Sequence, residues 1–156
     1  MSIDAARFLV VVATGASGIL AGASLDQSIK QLPARHKMGA VEFSRYSQAA
    51  DLSNGVLWYA ILGVGAALLT IAAAVAAWTA KIPICSGGLL SAAAALAVFH
   101  SLTTIKAAPI NFSQRAAGDD AVALAKIFDR FEYWQLTRCA LQTATFIILL
   151  IATAKR

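Results

Sequence analysis

Charge is scarce in this chain. Only 13% of its 156 residues are Asp, Glu, Lys or Arg, against about a quarter in a typical soluble domain. Hydrophobic residues make up 59%, and the mean hydropathy is +0.69. That balance excludes a domain whose main solvent is water. Cysteine is scarce too. Cys85 and Cys139 lie far apart in sequence and form no Cys-x-x-Cys motif. The only histidines are His36 and His100, and neither has carboxylates around it at ligand spacing, so no metal site is expected. Glycine-rich phosphate loops, haem-attachment signatures and nucleophile motifs are lacking as well. Lys and Arg exceed Asp and Glu, giving a net charge of +5. They do not cluster with interleaved aromatics, so the excess reads as membrane topology and no nucleic-acid partner is expected.

What the chain has is apolar length. Four stretches carry no charged residue: Phe8 to Leu25, Leu52 to Ala80, Ile82 to Ile105, and Cys139 to Ala154. A helix rises 1.5 Å per residue, so roughly 20 residues cross a hydrocarbon core about 30 Å thick. The runs are rich in Ala and Leu, and only helices or closed barrels satisfy the backbone in lipid. The expected fold is all-α: one membrane domain over 1–156 with four transmembrane helices at about 6–25, 54–80, 82–105 and 132–154. The first run is as long as a span, so it reads as retained and not as a cleaved signal peptide.

An even number of spans puts both termini and the short Trp78–Pro83 turn on one membrane face. The two long connections, Asp26–Ser53 and Lys106–Phe131, fall on the other. Cys85 and Cys139 then open their helices at opposite faces, too far apart for a disulfide. Local signals fit this layout. Ser53-Asn54 is a candidate cap for the second span, and Pro83 suits the first turn of the third. Pro109 is expected to end the third helix, and Asp119-Asp120 to start the next. Small residues form stripes (Ala13, Ser17 and Ala21 beside Gly18 and Gly22; Gly63 and Ala67; Ala66, Thr70 and Ala74) that let helices pack closely, within one bundle or in a homo-oligomer.

The long connections are themselves partly helical. Ala40, Phe43, Tyr46 and Ala50 recur at helical spacing, as do Leu124, Phe128 and Phe131. Short amphipathic helices are expected at about 39–52 and 119–131, the second running unbroken into the last span. The long-loop face carries most of the Lys and Arg, which makes it cytoplasmic by the positive-inside rule, in a bacterial inner membrane.

Function is expected where polarity enters the membrane. Trp134 and Arg138 are four residues apart, and Gln135, Arg138, Gln142 and Thr145 follow at spacings of 3, 4 and 3. Such a stripe should face the bundle interior or a cavity. Its plainer reading is a snorkelling arginine with amides joining helices. Parity brings Arg35, His36, His100 and Asn111 to the same end, with Phe131 and Tyr133 as neighbouring aromatics.

Pro33-Ala34-Arg35-His36 with Gly39 in the first loop, Pro109-Ile110-Asn111 after the third span, and Trp134-x-x-x-Arg138 entering the fourth give a resemblance covering nearly the whole chain. It resembles the anthrone oxygenase-like family of small membrane proteins, many without an assigned function. The resemblance implies a cofactor-free oxygenase acting on a flat lipophilic phenolic or quinone-like molecule. Fitted to that chemistry, His100 or His36 would be the base. Arg138 or Arg35 would hold the enolate. Trp134, Phe131, Asn111, Gln135 and Gln142 would line the substrate site. The alternative is a non-catalytic accessory or assembly subunit of a larger membrane complex.

Overall fold

The computed structural model describes residues 1–155, apart from the side chains of Ile84 and Cys85. The expectations for Cys85, and the terminal charge of Arg156, fall outside the described residues. Among those residues the chain is all helical, with no strand, and four helical segments are long and apolar enough to cross a membrane. This is a multi-pass helical bundle.

Helix α1, Ile3–Asp26, starts at Ser2, whose hydroxyl accepts from the Ala5 amide at 3.2 Å. It does not stop at the first loop. A π-helical turn, Gln27–Gln31, carries it into α2, Leu32–Met38. The break comes at Gly39, whose φ of 84° suits a residue without a Cβ. Helix α3, Ala40–Ala49, then leads through a second π-helical turn, Ala50–Asn54, into α4, Gly55–Thr79. The cap expected at Ser53-Asn54 is not made. Neither side chain caps α4, and Ser53 instead takes a non-helical conformation that kinks the entry.

Helix α5, Ile84–Phe112, runs past Pro109 instead of ending there. Proline removes one amide donor and clashes with the turn before it, but a position this close to the C-terminus disturbs little downstream helix. After α6, Gln114–Ala117, Asp120 accepts from the amides of Val122 and Ala123 and starts α7, Ala121–Ala154. The amphipathic segment and the fourth span are one helix of 34 residues. At about 50 Å it is much longer than a hydrocarbon core is thick.

The long helices form a ring in which α1 packs on α4, α4 on α5, α5 on α7 and α7 on α1. Two apolar clusters hold the ring. One lies toward the termini and joins Val10, Ala13, Ala73, Ala77, Leu90 and Leu149. The other lies toward the long connections and joins Leu32, Phe43, Ala107, Leu124, Phe128 and Phe131. The α1 stripe Ala13, Ser17 and Ala21 and the α4 stripe Ala66, Thr70 and Ala74 are buried within the chain, where the Ser17 and Thr70 hydroxyls meet at 3.4 Å. Gly18 lies under the Phe146 ring, while Gly22 is exposed.

The kink before α4 has a steric requirement. A Cβ on Gly55 would sit 2.7 Å from the Ala50 carbonyl oxygen, which is backbone and cannot swing away. Gly55→Ala should therefore destabilise the fold by about 1–3 kcal/mol. The check is a lower Tm of the purified chain in detergent; an unchanged Tm would mean that the 50–55 segment relaxes at no cost.

Candidate functional site

Between the two apolar clusters the interior turns polar. His100, Asn111, Gln135, Gln142 and Thr145 are all less than a tenth exposed. Into this belt opens a cavity of about 450 Å³, within the range of small-molecule sites. Its walls are mostly apolar and include Leu20, Leu52, Val56, Ile105, Phe112 and Phe131. Polar groups reach it from every side: Gln27 and Asp51 from the π-helical turns, Tyr59 from α4, His100, Thr104 and Asn111 from α5, and Arg138 and Gln142 from α7.

Arg138 is the centre of this arrangement. One of its terminal nitrogens, Nη2, donates to Gln27 Oε1 at 3.4 Å. Its buried Nε has no hydrogen-bond partner, and neither has Gln142 Oε1. Buried polar atoms are normally satisfied, so an unpartnered donor and an unpartnered acceptor on two residues that line one cavity stand out. Gln27 also lies beside Asp51, which accepts from Ser47 Oγ at 3.1 Å. The carboxylate thus answers the guanidinium through an amide and not by direct contact. Asp51, Tyr59 and His100 all lie within electrostatic range of Arg138.

The His100 imidazole lies near the Ala97 backbone, and the side chain lines the cavity. The aqueous end is closed by a further network. Gln114 donates to Asn111 Oδ1 at 2.9 Å and to Ser47 Oγ at 3.2 Å, and accepts from Ser44 at 3.0 Å. Arg115 reaches over to the Leu52 carbonyl at 2.6 Å and lies against the Phe112 ring.

Of the residues singled out from sequence, His100, Arg138, Asn111, Phe131 and Gln142 line this cavity, and four others do not. His36 is exposed. Arg35 is buried, but it pairs with Asp129 at 2.8 Å and with Glu132, fastening α2 to α7. Trp134 packs against the Phe128 cluster and stands edge-on to Tyr133. Gln135 is fully buried and donates to Ser24 Oγ at 3.0 Å, joining α7 to α1.

Helix geometry explains the split on α7. At 3.6 residues per turn, Phe131, Arg138 and Gln142 fall within an arc of about 40°. Trp134 lies about 60° from its middle on one side, and Gln135 about 40° on the other. Asp51, Tyr59 and Gln27 were not singled out from sequence. The available signal was their position: Gln27 and Asp51 sit at the ends of charge-free runs, and Tyr59 follows Asp51 at two turns' spacing. No three His, Cys, Asp or Glu side chains converge as metal ligands among the described residues. No family profile, curated protein or solved structure matches the chain.

These placements separate structural from cavity residues. Arg35→Met should lower stability by about 1.5–3 kcal/mol, the scale of a charged hydrogen bond, and leave ligand affinity unaltered. His36→Ala should change neither. Thermal melts and ligand titrations on the two variants check this; a loss of affinity in His36→Ala would put the site in the wrong place.

Proposed function

We propose that the chain is an integral membrane enzyme of the cofactor-independent oxygenase type, acting on a flat lipophilic phenolic or quinone-like molecule. One observation carries the reading. His100 and an arginine with an unpartnered buried Nε share an apolar cavity inside the bundle. An anthrone-like substrate has an acidic methylene conjugated to a carbonyl. A nitrogen of the His100 imidazole accepts a methylene proton. The resulting enolate oxygen is held by Arg138, whose charge is little screened among apolar walls.

The electron-rich carbon then bonds to O₂, giving a peroxide that takes up the proton from His100. Loss of the second methylene proton to His100 breaks the O–O bond and expels hydroxide, which leaves as water. The balance is CH₂ + O₂ → C=O + H₂O, with the carbon oxidised and dioxygen reduced. Phe131 and Phe112 supply the apolar walls for the rings. No cofactor is required by this sequence.

Conversion of anthrone to anthraquinone by membranes carrying the chain tests the reading. Arg138→Leu should lower the rate about 10²–10³-fold, and His100→Ala about 10²–10⁴-fold. Equal rates in wild type and Arg138→Leu, or no rate above background in either, would remove it.

We also infer that the long connections face the cytoplasm of a bacterial inner membrane, from the Lys and Arg carried there. Ala116→Cys, at an exposed position of α6, should react with an impermeant thiol reagent in inverted vesicles but not in spheroplasts, with the wild-type chain as background. The opposite pattern would reverse the orientation.

A further inference from the structure

Where the cavity opens follows from which of its lining residues are exposed. Lining residues on α1, α7 and the π-helical turns are buried or half-buried: Leu20, Gln27, Leu52, Phe131 and Gln142 are each 6% exposed or less. The exposed ones come from α4 and α5. Val56 is 37% exposed, Val64 60%, Ile105 66% and Phe112 38%. On α4 the mouth extends from residue 56 to residue 64, about 12 Å down the helix. It therefore faces the side of the bundle, in the zone where apolar helix surface meets acyl chains.

Three further observations agree. First, the aqueous end is closed: Leu52 lies across it, tied through its carbonyl to Arg115, with the Ser44, Ser47, Gln114 and Asn111 network beside it. Second, α4 and α5 are joined by a short turn at the other face, where Trp78 Nε1 donates to Ser91 Oγ at 2.9 Å. They are fastened at one end and have the cavity between them at the other. Third, the facing walls of the mouth are small. A Cβ on Gly63 would meet nothing within 4 Å, and Ala60 stands beside it with Ser101 and Ala108 across on α5.

We propose that this mouth is a lateral portal. It admits a membrane-dissolved phenol bearing an aliphatic chain, head first, from the bilayer between α4 and α5. The hydroxyl end reaches Arg138 and Gln142, the two lining residues that carry an unpartnered buried atom. The chain stays between Val56, Val64 and Ile105, in contact with lipid. A chain left there is never transferred out of an apolar medium, so it adds no desolvation cost to binding. Entry from water would instead require the Leu52 closure to open. The inference rests on the proposed reading of the cavity as a phenol-binding site and adds the route and the substrate's tail.

The test uses the full-length chain in lipid nanodiscs and a 4-dodecylphenol carrying a diazirine on its chain. Wild type should show photolabelling that excess unmodified 4-dodecylphenol competes away, with adducts on α4 and α5 between residues 56 and 64 and around residue 105. Gly63→Phe should reduce the competable labelling at least tenfold, and so should Ala60→Leu, whose position already faces outward. Gly63→Ala should leave it near wild type, and Arg138→Gln should reduce it by loss of the head contact. Circular dichroism and elution as a single species identify folded variants. If both blocking variants fail to fold, the adduct positions in wild type decide. Competable labelling that the blocking variants do not change, or adducts confined to the Asp51–Leu52 closure, would overturn the lateral portal while leaving a phenol site. Absence of competable labelling in wild type would remove the phenol-binding reading and the portal together.

Discussion

A guanidinium inside the bundle is the constraint around which the loop end is built. At the depth of a membrane helix an arginine costs about 2.5–3.5 kcal/mol even by the mildest scales. The fold meets that cost with indirect neutralisation. Gln27 accepts from Arg138 and lies beside Asp51, and Asp51 is held in turn by Ser47. Each of these partners comes from the two connections and not from a neighbouring span. The connections consequently cannot be loose: their course over the bundle end sets where the acceptor and the carboxylate lie. A direct bidentate ion pair would have taken two of the arginine's five N–H donors. The relay through an amide leaves Nε without a hydrogen-bond partner.

The rest of the loop end serves that placement. Arg35 clamps α2 against α7 through Asp129 and Glu132, and Gln114 joins α3 to the end of α5. Apolar packing of Phe43 edge-on to Phe128, with ring centroids 4.9 Å apart, holds α3 to the same helix. The dry cluster of alanines and leucines on the terminal side is simpler, and its close helix approach follows from small side chains. The two halves of the bundle thus differ in kind. One is tight and apolar; the other is propped open by polar groups that must stay bonded to one another.

How much of this could be read from sequence depended on whether the information was local. Charge-free length marks the four spans directly, since each run is bounded by residues such as Asp51, Lys81 and Lys106. Depth along a helix was equally legible, and it put His100, Asn111, Arg138 and Gln142 at one end. Angle around a helix was less so. Trp134 and Gln135 share the depth of the cavity but flank its face, and only the packing of α7 against α5 and α1 settles which side is inward. The path of the connections was least legible. Asp51 reads as the polar edge of a surface helix until the π-helical turn and the kink at Ser53 bring it over the bundle end. Arg35 reads as a site residue until Asp129 and Glu132, nearly a hundred positions away, are found beside it.

The two π-helical turns carry a consequence of their own. Phe131, Arg138 and Gln142 ride on one unbroken helix, so their mutual spacing is that of a rigid body. Gln27 and Asp51 instead stand in widened turns, each holding one residue more per turn than the α-helix around it. Removing a residue from either turn would restore ordinary winding and change which side chain stands there. Length at these two places is therefore under tighter constraint than residue identity. Away from Gln27, Asp51 and Leu52 the chain can tolerate side-chain exchanges along 27–31 and 50–54, but a single-residue deletion there would remove the widened turn that presents the acceptor or the carboxylate to the arginine.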